Sequence, residues 1–375
     1  MHIKRAHSNL IHIRFRGVQG GVTQPVNSRI ASFNRIEICA PLGLLPRWAF
    51  TGIKRVKSGE KRPISQRGWP HCLRLCPIGT VTLSLFLASC VGSAHQMPIS
   101  PPLADGVDKG EPMVLAPTDQ PSRLSFDRYE TELATIYVVT VPATYTVTVA
   151  ASETLQSVET FAEETGAAVV LNAGFFDPMN GQTTSHVVVN GVVFADPADN
   201  ERLVNNPDLT EYLAQILHRS EFRQYDCDDG TRYEIAPRNG DFPMGCTLSN
   251  VVGGGPQLLP TDTSLAEAFT AVDENGQLVR DAIGSLQRNA RSAVGLRADG
   301  TVLLVMVSQQ EATNSGMTLA ELTAFMQAQG VKQALNLDGG SSSSLLFEGE
   351  AFYGRLNSDE QSVMRPIKSV LIVKP

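Results

Sequence analysis

Apolar positions along this chain fall mostly into short runs that either alternate with polar residues or continue without a break. TIYVVTV (135–141), YTVTVAA (145–151), AAVVLN (167–172), SAVGLRA from Ser292, TVLLVMVS (301–308), ALNLD (334–338) and KSVLIV (368–373) are of this kind. Such lengths and such β-branched content predict strands, the unbroken runs being buried on both faces. SHVVVNGVVFA (185–195) predicts a hairpin turning at Asn190-Gly191, and Asp299-Gly300 predicts another. Helical signals are fewer. Thr318 and Glu321 have capping-box spacing ahead of LAELTAFMQAQG, which stops at Gly330. Asn206-Pro207 offers a cap and a first-turn proline to PDLTEYLAQILHRS. ETLQSVETFAEETG (153–166) also ends at a glycine. The expected class is therefore α+β, with mixed, largely antiparallel sheets flanked by a few helices.

One pattern occurs twice. GAAVVLNAGFF begins at Gly166 and GVKQALNLDGG at Gly330. Each places a helix, a glycine stop, a buried strand ending in Leu-Asn and a glycine-containing loop in the same order. The repeat predicts a pseudo-twofold core in which Asn172 and Asn336 are equivalent and both loops open onto one cleft.

Charge divides the 375 residues unevenly. Residues 1–89 hold 14 Lys+Arg against 2 Asp+Glu, a net +12, and the remainder carries −19. An acidic main body argues against a nucleic-acid partner. The uncharged run from Leu75 to Cys90 is too short to span a bilayer but suits an export signal. Its end, Leu87-Ala88-Ser89-Cys90, resembles a bacterial lipoprotein cleavage site with Cys90 as the lipidated residue, and Val91 after it suits an outer-membrane destination on the periplasmic face. Residues 1–89 thus read as a basic leader and signal, of which roughly the first 56 residues suit a gene start placed too far upstream and are expected to be disordered or absent. Residues 90–123, rich in proline, read as a lipid-anchored tether, and 124–375 as the globular domain. That domain keeps two cysteines, Cys227 and Cys246, which read as a disulfide in an oxidising compartment.

The candidate chemistry sits where polar residues interrupt apolar strands. In ALNLDGGSSSSLLF (334–347), Asn336 and Asp338 precede Gly339, Gly340, Ser341 and Ser342. The segment is either a polar turn or a site where backbone approaches a ligand beside a carboxylate. Asn172 and Asp177 bracket NAGFFD, which also holds Gly174 and Phe176. Gly254 and Gly255 in GGGPQLLP belong to a loop whose N–H groups could cradle an anion. Arg291 leads one strand, Arg365 precedes the last, and His186 lies at the mouth of a hairpin as a structural residue or a proton shuttle. A serine-hydrolase elbow of the form Gly-x-Ser-x-Gly is missing from the sequence.

Taken together, NAGFFD, GGGPQLL, RSAVGL with its Asp-Gly turn, GMTLAELTAFM and ALNLDGGSSSSL resemble the phosphodiester glycosidases, in the order that family carries them, over roughly residues 130–375. The nearer resemblance is to a bacterial lipoprotein branch. It implies a cleft lined by Asn172, Gly174, Phe176 and Asp177, faced by Arg291 and completed by Asp338, Gly339, Gly340 and Ser341, with Arg365 the arginine before the final strand. Two departures stand out: Ser341 occupies the place of a third glycine, and Gln309-Gln310 stands where many relatives carry Asp-Gly. The implied reaction is hydrolysis of a sugar-1-phosphodiester. Arg291 and Arg365 would neutralise the phosphate, Asp338 would act as nucleophile or base, and Asp177 would orient it or supply a proton. This requires Asp338 and Arg291 to flank one hole. No cofactor is needed, although Asp177 and nearby carbonyls could hold a cation such as calcium. The reading from another class is a non-catalytic envelope lipoprotein that binds carbohydrate or phosphorylated glycans. Its only membrane contact, like the enzyme's, would be the N-terminal lipid.

Overall fold

The structure, a computed structural model, describes residues 54–56 and 123–375. The expected export signal, Cys90 and most of the tether lie outside the described residues. Within the stretch expected to be disordered or absent, Lys54–Val56 is instead a strand. It pairs with Ser125–Glu130, and Arg55 meets Asp127 at 2.6 Å.

Two large antiparallel sheets carry the domain. The first has seven strands in the order Lys54–Val56, Ser125–Glu130, Ala134–Val141, Val302–Gln309, Arg291–Arg297, Val331–Asn336 and Gln257–Leu259. The second has five, ordered Glu350–Tyr353, Ser344–Phe347, Val169–Asn172, Ile367–Val373 and Val147–Gln156. Side-chain alternation explains why both are so apolar. Val294, Leu304 and Met306 of the first sheet join Leu171, Leu345 and Leu371 of the second in one core. The other face of the first sheet, with Ala293, Leu303 and Val305, packs under the helix Leu319–Ala328. The other face of the second, with Val170 and Val370, packs under the helix Val158–Thr165. Helices thus cover both outer faces of a β-sandwich, confirming the α+β class.

Local signals account for the element ends. Thr318 and Glu321 complete the capping box, and Asn190 and Gly191 both take positive φ, as a tight hairpin turn demands. Two helices were read too long. The expected helix at 153–166 starts only at Val158 after the Ser157 cap, because the preceding strand runs on to Gln156 beside Ile367. The stretch after Asn206 breaks into a single turn at Pro207–Leu209 and a short helix at Leu213–Leu217.

A third sheet was not foreseen. It runs Val192–Ala195, Val187–Val189, Cys246–Gly253, Ser220–Cys227 and Gly230–Pro237, all antiparallel. Cys227 and Cys246 pair across neighbouring strands of it and form the expected disulfide.

Candidate active site

The singled-out residues gather at one end of all three sheets. Antiparallel register sets Asn336 opposite Ala293, two residues past Arg291. Asn172 lies opposite Val370, midway along the last strand, and Gly253 lies opposite Glu221, which follows the start of its own strand. The two asparagines of the repeated unit then lock the sheets together. Asn172 donates through Nδ2 to the Asp338 carbonyl at 2.6 Å and accepts from Ser292 Oγ at 2.6 Å and the Ser344 N–H at 3.0 Å. Asn336 donates through Nδ2 to the Gly255 carbonyl at 2.8 Å and accepts the Gly255 N–H at 2.7 Å on its own carbonyl. Both are buried, and both follow helices ended by glycines at positive φ, Gly166 and Gly330.

Asp338 emerges from this brace just past the strand end, its N–H bonded to the Ala173 carbonyl at 2.8 Å. Burial is the main influence on its carboxyl and pushes its pKa up to about 6. A hydrogen bond from Ser342, the charge of Arg365 and the Gly339 N–H pull the other way. Gly339 and Gly340 are needed where they stand. A Cβ on Gly339 would meet the Ala290 carbonyl at 3.1 Å, and Gly340 takes φ +60. The following serines are mostly structural: Ser342, Ser343 and Ser344 are buried. Ser341 differs, since its Oγ accepts from Arg365 Nη1 at 2.8 Å. The Arg365 guanidinium also lies 5.1 Å from the centre of the Phe176 ring, a cation–π contact that fixes its direction. In front of Gly339, Gly340 and Ser341 opens a cleft of ≈ 680 Å³, which Asn289, Arg355 and Asn357 also line.

Several expectations need correction. Arg291 does not face this cleft. Its buried guanidinium donates to the carbonyls of Met317, Ile283, Gly284 and Gln287 at 2.6–3.0 Å, so four of its five N–H donors are spent. Burial is the main reason that its pKa falls to about 10. Arg291 therefore clamps the 283–287 loop, and the arginine beside Asp338 is Arg365. The glycine loop is no anion cradle either. The N–H groups of Gly253, Gly254 and Gly255 bond to the carbonyls of His186, Ser220 and Asn336. These glycines serve close packing, because a Cβ on Gly254 would sit 2.7 Å from the Asn336 carbonyl.

Asp177 is engaged away from Asp338. It accepts the Met179 N–H at 2.8 Å and meets Arg202 at 2.7 Å, and although burial opposes ionisation, these donors hold its pKa below the usual carboxylate range. Each carboxylate oxygen accepts one of these bonds. His186 belongs to another network, in which Nδ1 lies 2.9 Å from Glu221, itself bound to buried Arg223 at 2.8 Å. That corner has a void of only ≈ 10 Å³, room for about one water. Gly174 is held under the second sheet by its N–H bond to Ser369 Oγ. Gln309, standing for the usual Asp, spends its amide on the Leu356 N–H and the Ser315 carbonyl. Sequence reading missed Asn289 and Arg355, which interrupt no apolar run and so carry no periodic signal.

A family model described as phosphodiester glycosidase matches residues 165–374, which include Asp338, Arg365 and the cleft-lining residues. The chain belongs to the phosphodiester glycosidase family. That membership supports a glycosidase-type function. Among curated proteins, an uncharacterized SPbeta prophage-derived protein of Bacillus subtilis, YomE, is 30% identical over 77 residues, covering 20% of this chain but only 12% of its own length. Among solved structures, the chain is similar to the zebrafish N-acetylglucosamine-1-phosphodiester alpha-N-acetylglucosaminidase catalytic domain auto-inhibited by its pro-peptide. That match has a TM-score of 0.49 at 19% identity and covers 68% of this chain and 82% of the other. A putative exported protein of Burkholderia pseudomallei matches with a TM-score of 0.46 at 14% identity, covering 66% of this chain and 76% of that one. A hypothetical protein from Synechocystis gives 0.38 at 17%, with 66% and 62% covered.

Proposed function

We propose that this phosphodiester glycosidase hydrolyses the glycosidic bond of sugar-1-phosphodiesters, with Asp338 as nucleophile or base and Arg365 neutralising the phosphate. The observation that carries this reading is the Asp338 carboxyl, pushed up to about 6, set among Arg365 and Ser342 and next in sequence to the Gly339–Ser341 turn that lines an open cleft. In the direct route, ionised Asp338 takes a proton from water as the water oxygen bonds to the anomeric carbon. The bond from that carbon to the phosphate oxygen breaks, and its electron pair leaves on a phosphomonoester. In the two-step route Asp338 itself bonds to the anomeric carbon, and water later releases the sugar. A phosphate leaving group is weakly basic, so the demand is for charge neutralisation, which a guanidinium supplies. Arg291, with its donors spent, has no part in this scheme.

The committed amide of Gln309 is what favours the rival reading, a non-catalytic protein that binds phosphorylated glycans in the same cleft. One comparison separates them. Sugar release from p-nitrophenyl-phosphoryl sugars and nucleotide sugars is followed for the wild type and Asp338→Asn, alongside ligand binding by calorimetry. The enzyme reading expects kcat to fall by at least about 10³-fold in Asp338→Asn while ligand is retained. Binding by the wild type with no sugar released from any compound would instead establish the binder.

A further inference from the structure

The cleft in front of Gly339–Ser341 is lined by a guanidinium, Arg355, that stands apart from the Asp338–Arg365 pair. Arg365 reaches Ser341 Oγ from the Asp338 side, and a second guanidinium, Arg355, lines the open part of the cleft. Arg355 makes one side-chain hydrogen bond, from Nη1 to Asn289 Oδ1 at 2.8 Å. Among the described residues, neither arginine has a carboxylate within ion-pair distance, and no Asp or Glu lines the cleft. This is unusual in a segment whose net charge is −19. Arg365 already has the ionised Asp338 carboxylate beside it, so Arg355 is the guanidinium whose charge an incoming anion would balance.

Asn289 shows that the second guanidinium is held in place. Its Oδ1 accepts both Arg355 and the Ala290 N–H, which turns its Nδ2 toward the turn, 3.6 Å from where a Cβ on Gly340 would stand. An amide donor and a guanidinium therefore present themselves together beside Gly340 in the cleft. The cleft's ≈ 680 Å³ is within the range that holds a sugar phosphate and more. A phosphodiester has a single negative charge, which one arginine matches in bidentate fashion.

We propose that Arg355 and Asn289 form a second anion subsite, which receives a phosphate carried by the aglycone next to the scissile phosphodiester, so that the preferred substrates are sugar diphosphate esters. The proposal rests on the function given above and makes Arg355 a specificity-determining residue within it.

The test uses the full chain and two probes that need no turnover, inorganic pyrophosphate and orthophosphate, titrated by calorimetry. The wild type binds pyrophosphate about tenfold or more tightly than orthophosphate, in line with one additional hydrogen bond to a charged group. In Arg355→Gln, which keeps a donor toward Asn289, that preference disappears, while thermal melting confirms an intact fold. Arg365→Gln weakens both probes. Equal binding of the two anions by the wild type, or an undiminished preference in Arg355→Gln, overturns the subsite. Kinetics separate this failure from that of the parent reading. If the wild type turns over neither a nucleotide diphosphate sugar nor a p-nitrophenyl-phosphoryl sugar but keeps the pyrophosphate preference, the hydrolase falls and the subsite stands. If both are hydrolysed and Arg355→Gln leaves the ratio of their KM values unchanged, the subsite falls and the hydrolase stands.

Discussion

Asp338 should hold its proton to a higher pH than an exposed aspartate, because burial outweighs the help of Ser342, Arg365 and the Gly339 N–H. Its folded pKa, about 6, lies above the ordinary 3.8, so folding takes up a proton between those values. The stability due to this group is therefore full below about pH 4, declines as pH rises toward 6 and stays lower above it. Asp338→Asn is expected to melt higher than the wild type at pH 8, by on the order of 1–3 kcal/mol, with the gap closing at pH 4. For the wild type, kcat/KM is expected to rise through about pH 6, since the ionised form is the nucleophile or base. A rate that fell through this range would make Asp338 an acid instead. Arg291 and Arg365 looked alike in the sequence, each ahead of an apolar strand, and depth separates them. Arg291 begins a strand in the interior of the seven-stranded sheet and is 2% exposed, whereas Arg365 stands outside the start of Ile367–Val373. Arg291→Ala should cost about 3–5 kcal/mol in urea unfolding, because four carbonyls lose their donor. Arg365→Ala should cost under about 1 kcal/mol yet weaken phosphate binding. Depth of this kind has no signature in a single sequence.

Elements whose sequence obeys local rules were legible. The Asn190-Gly191 hairpin, the Thr318–Glu321 capping box and the unbroken strand Val302–Gln309 stand where the pattern put them. The strand Ser220–Cys227 was not seen, and SEFRQYDC shows why. Phe222 faces the core, but on the other face Glu221 and Arg223 are also buried, paired with each other, Glu221 also meeting His186, so a buried strand reads as a surface segment. A buried charge is tolerable when its partner is near, and that partner can be anywhere in the chain. The repeated Leu-Asn unit was the better guide, since both asparagines do tie strand ends across the site. Asn172→Ala should therefore cost about 3 kcal/mol, roughly 1 for each of its three hydrogen bonds. Because Nδ2 holds the Asp338 carbonyl, that variant should also lose activity under conditions where circular dichroism still reports it folded.

At the scale of the molecule, sequence gave the class and the disulfide, while the stacking of three sheets followed from tertiary pairing that periodicity does not encode. Cys227–Cys246 closes a loop of 19 residues, worth about 3 kcal/mol on a loop-entropy account. Reduction should lower the melting temperature by several degrees without altering ligand affinity, since the bond lies at the opposite end of its strands from Gly253 and Glu221. Ser125 and Val373 share that remoteness. Ser125 lies opposite Thr140 and Val373 opposite Val169, whereas Ala134 and Asn172 mark the ends nearer the cleft. A segment entering at Ser125 thus joins the domain at the end of the sheets away from the binding mouth.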